Sequence, residues 1–181
     1  MSQARDSDKL SLPVTERDRF QGSIDASVTL VKYGGYQCPY SGQAYSIIKE
    51  VQRRLGGEVC FVFRHFPLIA IHAQAQKAAE AAEVAAAQGK FWEMHDMLFQ
   101  HQQALDNGSL VEYAVMVDLD INRFLREMSA HIYAERVQED LNSGISSGVV
   151  STPTFFINGV RCQQSCNLES LLVAIAQASN S

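Results

Sequence analysis

Short runs of β-branched and aromatic residues alternate with a helical hydrophobic stripe in the first third of the chain. SVTLVKY (27–33) predicts a buried strand, and EVCFVFRHF (58–66) predicts a second one. Between them, apolar residues recur at helical spacing from Cys38 to Leu55, and a Gly-Gly pair ends that helix. A strand–helix–strand unit of this kind predicts a parallel pair of strands.

The middle of the chain carries only helical patterns. Residues 70–88 predict an alanine-rich helix, and the aromatic segment that follows predicts another. Ser109 with Glu112 fits a capping box at the start of a short helix. Asp120 is the predicted cap of a longer helix, whose apolar stripe continues to Val137.

Two short strands and a helix are predicted at the end of the chain. TPTFFINGVRC (152–162) predicts a hairpin that turns at Asn158-Gly159, and Leu168–Ala178 predicts a helix capped by Asn167. The element order, β-α-β, helices, β-β-α, indicates an α/β protein with an all-helical insertion. The predicted parts are an N-terminal tail (1–22), an α/β domain in two pieces (23–66 and 148–181) and a helical insertion domain (67–147).

Composition narrows the classes of protein that this chain can represent. The 181 residues are 46% hydrophobic and 19% charged, which is enough apolar material for a packed core. A net charge of −5 argues against a nucleic-acid partner, which needs a basic face. The polar N-terminal segment lacks the apolar core of a signal peptide, and no apolar run is long enough for a membrane span. We therefore expect a soluble, cytoplasmic protein without a membrane partner.

The stretch YGGYQCPYSG (33–42) contains the candidate reactive cysteine of the sequence, Cys38. Cys38 lies where the first strand gives way to a helix, and a thiol there meets unpaired helix N–H groups. Such sites lower the pKa of cysteine from about 8.5 to about 3.5–7.5 and favour the nucleophilic thiolate. Pro39 suits the first helical turn, where its missing N–H costs little. The alternative is a buried, inert cysteine.

Four segments in this order resemble the DsbA family, in its soluble bacterial branch: VTLVKYGGYQCPYSGQAY, FVFRHFPL, QGKFWEMHDMLF and GVVSTPTFFING. The resemblance implies a thioredoxin fold with an inserted helical domain, and Cys38 as its active-site nucleophile. It also implies a cis peptide bond before Pro153 and a substrate-binding role for Tyr40 and for Thr152, whose backbone would pair with a bound peptide or glutathione. By base rate alone, Pro153 would be an ordinary trans proline.

The chain departs from the family pattern at two positions. Ser41 replaces the second active-site cysteine, so Cys38 cannot be resolved by its neighbour, although the Ser41 hydroxyl can donate to the thiolate. Lys32 stands six residues before Cys38, where the family has a buried glutamate that assists proton transfer at the second cysteine. A nearby lysine would favour the thiolate further. The alternative for Lys32 is a surface residue on an edge.

The other cysteines leave several possibilities open. Cys60 lies in an apolar strand and is expected in the core. Three roles are open for Cys162 and Cys166. The two can form a disulfide with each other, or they can be unrelated thiols. In the third role Cys166, or less readily Cys162, resolves a mixed disulfide on Cys38. The histidines show no ligand spacing, so no metal site is expected.

These features indicate a monothiol thiol–disulfide oxidoreductase that works through a mixed disulfide at Cys38. A single thiol best fits glutathione-linked exchange, or the addition or removal of glutathione on protein cysteines, with protein or glutathione disulfides as partners. Glutathione is then a co-substrate, and no tightly bound cofactor is expected. Two alternatives remain: a non-catalytic peptide-binding or redox-sensing module, and an enzyme like the kappa-type glutathione transferases, in which Ser41 would matter more than Cys38.

Overall fold

The computed structural model describes residues 8–163 and 167–180, and these form two compact units. The first, called here the sheet unit, contains the described residues within Met1–Gly34, Gln43–Arg64 and Asn142–Ser181. The second, the helical unit, contains Gly35–Gly42 and His65–Leu141. The loop that carries Cys38 therefore belongs to the helical unit.

Five strands in the order β1-β3-β2-β4-β5 form the sheet. Their bounds are Arg19–Gln21 (β1), Val28–Gly34 (β2), Val59–His65 (β3), Thr154–Ile157 (β4) and Val160–Arg161 (β5). Strands β2 and β4 pair antiparallel, with Leu30 opposite Ile157 and Tyr33 opposite Thr154. All residues of β3 are buried, which agrees with its apolar run from Val59 to Phe63 and extends to Arg64 and His65. This mixed α/β, thioredoxin-like architecture confirms the predicted fold class.

The hairpin between β4 and β5 turns where the sequence predicts it. Asn158 and Gly159 both have positive φ, 47° and 78°, as a tight two-residue hairpin turn requires. The Asn158 Oδ1 accepts the backbone N–H of Thr29 at 2.8 Å and so ties the turn to β2. The prediction is confirmed here because the signal for this hairpin is local.

Part of the predicted tail is built into the sheet. Strand β1 pairs antiparallel with β3, with Phe20 opposite Val62, at an edge of the sheet. Just before β1, the Asp18 carboxylate forms a buried ion pair with Arg64. The assignment of residues 1–22 to a tail is therefore wrong for this stretch, because backbone pairing and one buried charge hold it without an apolar pattern.

Helix α1 spans Pro39–Leu55, and α7 spans Leu168–Ser179. The cap predicted for α7 is confirmed, since the Asn167 side chain accepts the N–H of Ser170. The first four residues of α1 belong to the helical unit and its remainder to the sheet unit.

The predicted helical middle of the chain contains five helices. Their bounds are Ala75–Ala86 (α2), Phe91–Gln100 (α3), Asn107–Met116 (α4), Ile121–Ser129 (α5) and Ala134–Ser146 (α6). Helix α2 buries nine of its twelve residues, mostly alanines, whose small side chains allow neighbouring helices to approach closely. The cap of α5 is Asp120, as predicted.

Two predicted helix boundaries in this unit are wrong. Helix α4 begins at Asn107 and is capped by Asp106, whose carboxylate accepts the N–H of Ser109, so Ser109 lies inside the helix and forms no capping box. The stripe that ends at Val137 is divided between α5 and α6, because His131 has a positive φ of 50° that no helix can continue through.

Within residues 8–163 and 167–180, no helix is both long enough and apolar enough to cross a membrane.

Candidate active site

Cys38 directly precedes α1 and occupies the N-cap position of that helix. Its Sγ accepts the backbone N–H of Ser41 at 3.5 Å, and its carbonyl oxygen accepts the first helical N–H, from Gly42, at 3.1 Å. The Cys38 N–H donates to the Gly35 carbonyl at 3.2 Å, which closes the turn before the helix. The sulfur thus takes the place of the side-chain oxygen that caps most helices, and it lies at the positive end of the helix dipole.

The other residues of the motif share this helix start. Pro39 is the first residue of α1, as predicted. Tyr40 is 68% exposed, while Ser41 is fully buried, with its Oγ accepting the N–H of Gly35 at 3.3 Å. Cys38 itself is buried, at 4% exposure. The Ser41 backbone thus supplies a hydrogen bond to the sulfur.

Tyr36 anchors the loop that precedes Cys38. Its hydroxyl is hydrogen-bonded to His95 Nδ1 at 2.9 Å, and its ring lies 4.9 Å from that of Phe99 and 6.0 Å from that of His65. Tyr36 and His95 are both buried. His95 and Phe99 of α3 therefore hold the loop that carries Cys38.

A buried polar pair lies in the same unit. His65 Nε2 is 2.8 Å from Glu83 Oε1, and both side chains are almost fully buried. The backbone N–H of His65 donates to Asp140, which also pairs with Arg136. Burial raises the pKa of Asp140, against the opposite pull of His65 and Arg136. This arrangement fixes the end of β3 where the chain enters the helical unit.

Gln102 is a site residue that the sequence analysis missed. It lies in the turn after α3, and its Nε2 donates to the carbonyl oxygens of Tyr36, at 2.7 Å, and Cys38, at 2.9 Å. One sequence signal points to it: Gly42 is a glycine in the first turns of a helix, and such a glycine suggests a close approach by another group.

Lys32, Thr152 and Pro153 lie in the sheet unit. Lys32 is 1% exposed on β2, opposite Phe155, with its Nζ 5.9 Å from the centre of the Phe63 ring. The alternative of an exposed edge residue is therefore wrong. The peptide bond between Thr152 and Pro153 is cis, as predicted.

The remaining thiols differ in their surroundings. Cys60 is fully buried in β3, and burial, followed by the charge of Asp18, raises the pKa of its thiol, which makes it a poor nucleophile. Cys162 follows β5 as a free, half-buried thiol, and its N–H donates to the Phe155 carbonyl. Cys166 lies outside the described residues, so its predicted resolving role stays a prediction.

The family model described as "Thioredoxin" matches residues 14–177. The chain belongs to the thioredoxin family. Among solved structures it is similar to oxidised BdbD from Bacillus subtilis, with 21% identity, a TM-score of 0.85 and coverage of 96% of this chain and 99% of that one. It is also similar to alpha-DsbA1 from Wolbachia pipientis, with 19% identity, a TM-score of 0.79 and coverage of 94% of both chains. These likenesses confirm the DsbA-like form of the fold.

The curated relatives are similar over one region only. The Na(+)/H(+) antiporter NhaA 1 of Salinispora arenicola is 44% identical over 170 residues, which are 93% of this chain and 26% of the antiporter. The chain therefore spans about a quarter of the length of the curated relatives that it matches.

Proposed function

We propose that this thioredoxin-family protein is a thiol–disulfide oxidoreductase that uses Cys38 as its single active-site thiol. The observation that carries the proposal is the N-cap position of the Cys38 sulfur, which accepts a helix N–H and lies at the positive end of α1. Both features stabilise a thiolate relative to a thiol. The names of two structural neighbours, "thioredoxin-like oxidoreductase" and "thiol-disulfide exchange protein", support the same chemistry.

The proposed reaction begins with attack by the Cys38 thiolate on one sulfur of a disulfide that joins glutathione to a protein cysteine. The S–S bond of the substrate breaks, a new S–S bond forms to Cys38, and the other sulfur leaves as a thiolate. A second thiol then attacks the mixed disulfide and releases Cys38 as a thiolate. Two thiolates are consumed and two released, so glutathione suffices as co-substrate and no net oxidant is needed.

Further residues have proposed roles in this cycle. Exposed Tyr40 offers an aromatic surface beside the nucleophile, and the backbone of Thr152, before cis-Pro153, pairs with the substrate. Lys32 supplies positive charge that favours the Cys38 thiolate. The second thiol is glutathione from solution or one of the cysteines of CQQSC (162–166). Because the cycle needs reduced glutathione, we propose the cytoplasm as its location.

The test is mass spectrometry of the protein after exposure to oxidised glutathione. We expect one glutathione adduct, on Cys38, that disappears when reduced glutathione is added, and no such adduct in Cys38→Ala. An adduct that accumulates only in Cys166→Ala or Cys162→Ala identifies that residue as the resolving thiol. Full exchange activity in Cys38→Ala would overturn the proposal, and loss of activity in Ser41→Ala instead would favour a transferase of the kappa type.

A second candidate function is redox sensing beside a cation antiporter. The observation that favours it is the 44% identity with a region of an antiporter chain. In that role Cys38 reacts once per oxidation event and turns over slowly. Steady-state reduction of a glutathionylated peptide separates the two functions: repeated turnover supports the oxidoreductase, and a single stoichiometric reaction supports the sensor.

A further inference from the structure

Gln102 holds the two carbonyl groups that flank Gln37 in the active-site loop. Its side-chain amide nitrogen lies 2.7 Å from the Tyr36 oxygen and 2.9 Å from the Cys38 oxygen. A glutamine amide has two N–H groups, and both are needed for these two bonds. The Cys38 oxygen therefore accepts from Gln102 and also from the helical N–H of Gly42.

The sequence of α1 leaves room for this side chain. A Cβ atom at Gly42 would overlap Gln102 Oε1 and would lie 2.7 Å from its Cδ. Glycine inside a helix is less favourable than alanine, because its backbone loses more conformational freedom on folding. No positive φ requires glycine at position 42, in contrast to Gly22 and Gly159. The space beside Gly42 is thus filled by the Gln102 amide, at a cost to the helix.

The turn that carries Gln102 is itself held in place. The Tyr113 hydroxyl donates to the Ala104 carbonyl at 2.6 Å, and His101 Nδ1 is hydrogen-bonded to the Met97 carbonyl at 2.9 Å. The rings of His101 and Tyr113 lie 5.1 Å apart. Gln102 therefore extends from a fixed turn of the helical unit towards the Cys38 loop.

We propose that Gln102 is a positioning residue for Cys38, and that Gly42 is glycine in order to admit it. By holding the Cys38 carbonyl, the Gln102 amide keeps the backbone in the conformation that directs Sγ towards the Ser41 N–H. This inference rests on the proposed function, because it assigns Gln102 a role through the thiolate of Cys38. Without the amide, the loop relaxes and the sulfur loses its alignment with the start of α1.

The test compares Gln102→Ala, Gly42→Ala and the double variant with the wild type. The measurement is the pH dependence of Cys38 alkylation by iodoacetamide, followed on the Cys38 peptide by mass spectrometry. Loss of helix-terminus stabilisation moves the midpoint of this profile upwards by about half a pH unit or more. Both single variants should show the shift, because a methyl group at position 42 displaces the amide.

The double variant should shift no further than either single variant, since both changes remove the same contact. Gln103→Ala, which alters an exposed glutamine one position along, should keep the wild-type profile. Gly42→Ala keeps the test decisive if Gln102→Ala folds poorly, because alanine favours the helix while it expels the amide.

Wild-type profiles in both single variants overturn the inference, and so does an additive shift in the double variant. Failure of the proposed function gives a different result. In that case Cys38 of the wild type exchanges with no disulfide, while the alkylation profiles still report whether Gln102 positions the sulfur.

Discussion

Replacing Asp18 by asparagine should cost the sheet unit much of its stability, because Arg64 is buried with it. The carboxylate accepts from Arg64 Nε at 2.8 Å and from one terminal nitrogen at 3.1 Å, and the two side chains are 7% and 4% exposed. The other Arg64 donors go to the carbonyls of Leu12 and Pro13 and to the Tyr33 hydroxyl. Asp18 therefore supplies the negative charge in a buried, hydrogen-bonded cluster.

The size of this stability loss is set by the positive charge of Arg64, which stays buried when the Asp18 carboxylate is removed. Burial opposes the charge on Arg64, but its hydrogen bonds to Asp18 raise the pKa of the guanidinium above its ordinary value, so it is protonated in the folded protein. Arginine stays protonated without its partner, and removing one member of a buried ion pair costs about 3–5 kcal/mol. An asparagine in place of the aspartate retains one acceptor oxygen, so we expect a loss near the lower end, about 3 kcal/mol. For a chain of this length that lowers Tm by about 6–12 °C.

Urea denaturation followed by far-UV circular dichroism measures the change in the free energy of unfolding. Asp25→Asn is the matched control, since Asp25 is exposed, and it should stay within about 0.5 kcal/mol of the wild type. The double variant Asp18→Leu with Arg64→Met should lose less than Asp18→Asn, because it buries no unpaired charge. Wild-type stability of Asp18→Asn would refute the argument that the charge of this pair holds the segment before β1.

Three further predictions concern the active site, the backbone and pH. Ser41→Cys should close an internal disulfide with Cys38 on treatment with oxidised glutathione. The Ser41 backbone nitrogen already lies 3.5 Å from Cys38 Sγ, and a cysteine at position 41 completes the Cys-x-x-Cys spacing of thiol–disulfide oxidoreductases. A persistent glutathione adduct in mass spectra would contradict this. Gly22→Ala should lower the free energy of unfolding, measured by urea denaturation, by about 2 kcal/mol, because φ at Gly22 is +90° and a Cβ there would lie 2.6 Å from a β3 carbonyl oxygen. The control Gly57→Ala, which has open space around the added Cβ, should match the wild type. Hydrogen bonds from Arg53 and Arg54 lower the pKa of Glu50 to about 2. The Glu50 carboxylate therefore stabilises the fold fully above about pH 4.5, and this contribution is lost as the pH falls towards 2. In acid titration, the stability of Glu50→Gln should fall less than that of the wild type.

The parts of the fold that could be predicted from sequence are those with local signals. The Asn158-Gly159 turn and the caps Asp120 and Asn167 each depend on residues within a few positions, and all three are confirmed. Strand β1 could not be predicted, because an edge strand paired through its backbone needs no apolar alternation. The break at His131 was hidden because the apolar stripe continues across it and the residue with positive φ is not glycine.

The residues of the candidate site also differ in whether a local sequence signal points to them. Cys38 and Pro39 could be located at a helix start because the motif and the element order agree. Gln102 could not, since it is 64 residues from Cys38 and its amide binds backbone carbonyls, which have no sequence signature. Gly42 was the only indication of a neighbour, and a glycine shows that space is needed without showing which side chain fills it.

The geometry at Cys38 is compatible with the proposed reaction cycle, in which Cys38 is the single active-site thiol. One hydrogen bond to the Cys38 sulfur comes from the backbone N–H of Ser41. A serine at position 41 keeps this N–H but has no thiol that could resolve a mixed disulfide. Attack on a disulfide and release of the mixed disulfide are therefore separable steps, and only the second needs another thiol. If glutathione supplies that thiol, the rate of release from Cys38 rises in proportion to glutathione concentration. If Cys162 or Cys166 supplies it, the rate is independent of glutathione and vanishes in the corresponding alanine variant, so stopped-flow measurement of release from the mixed disulfide decides between them.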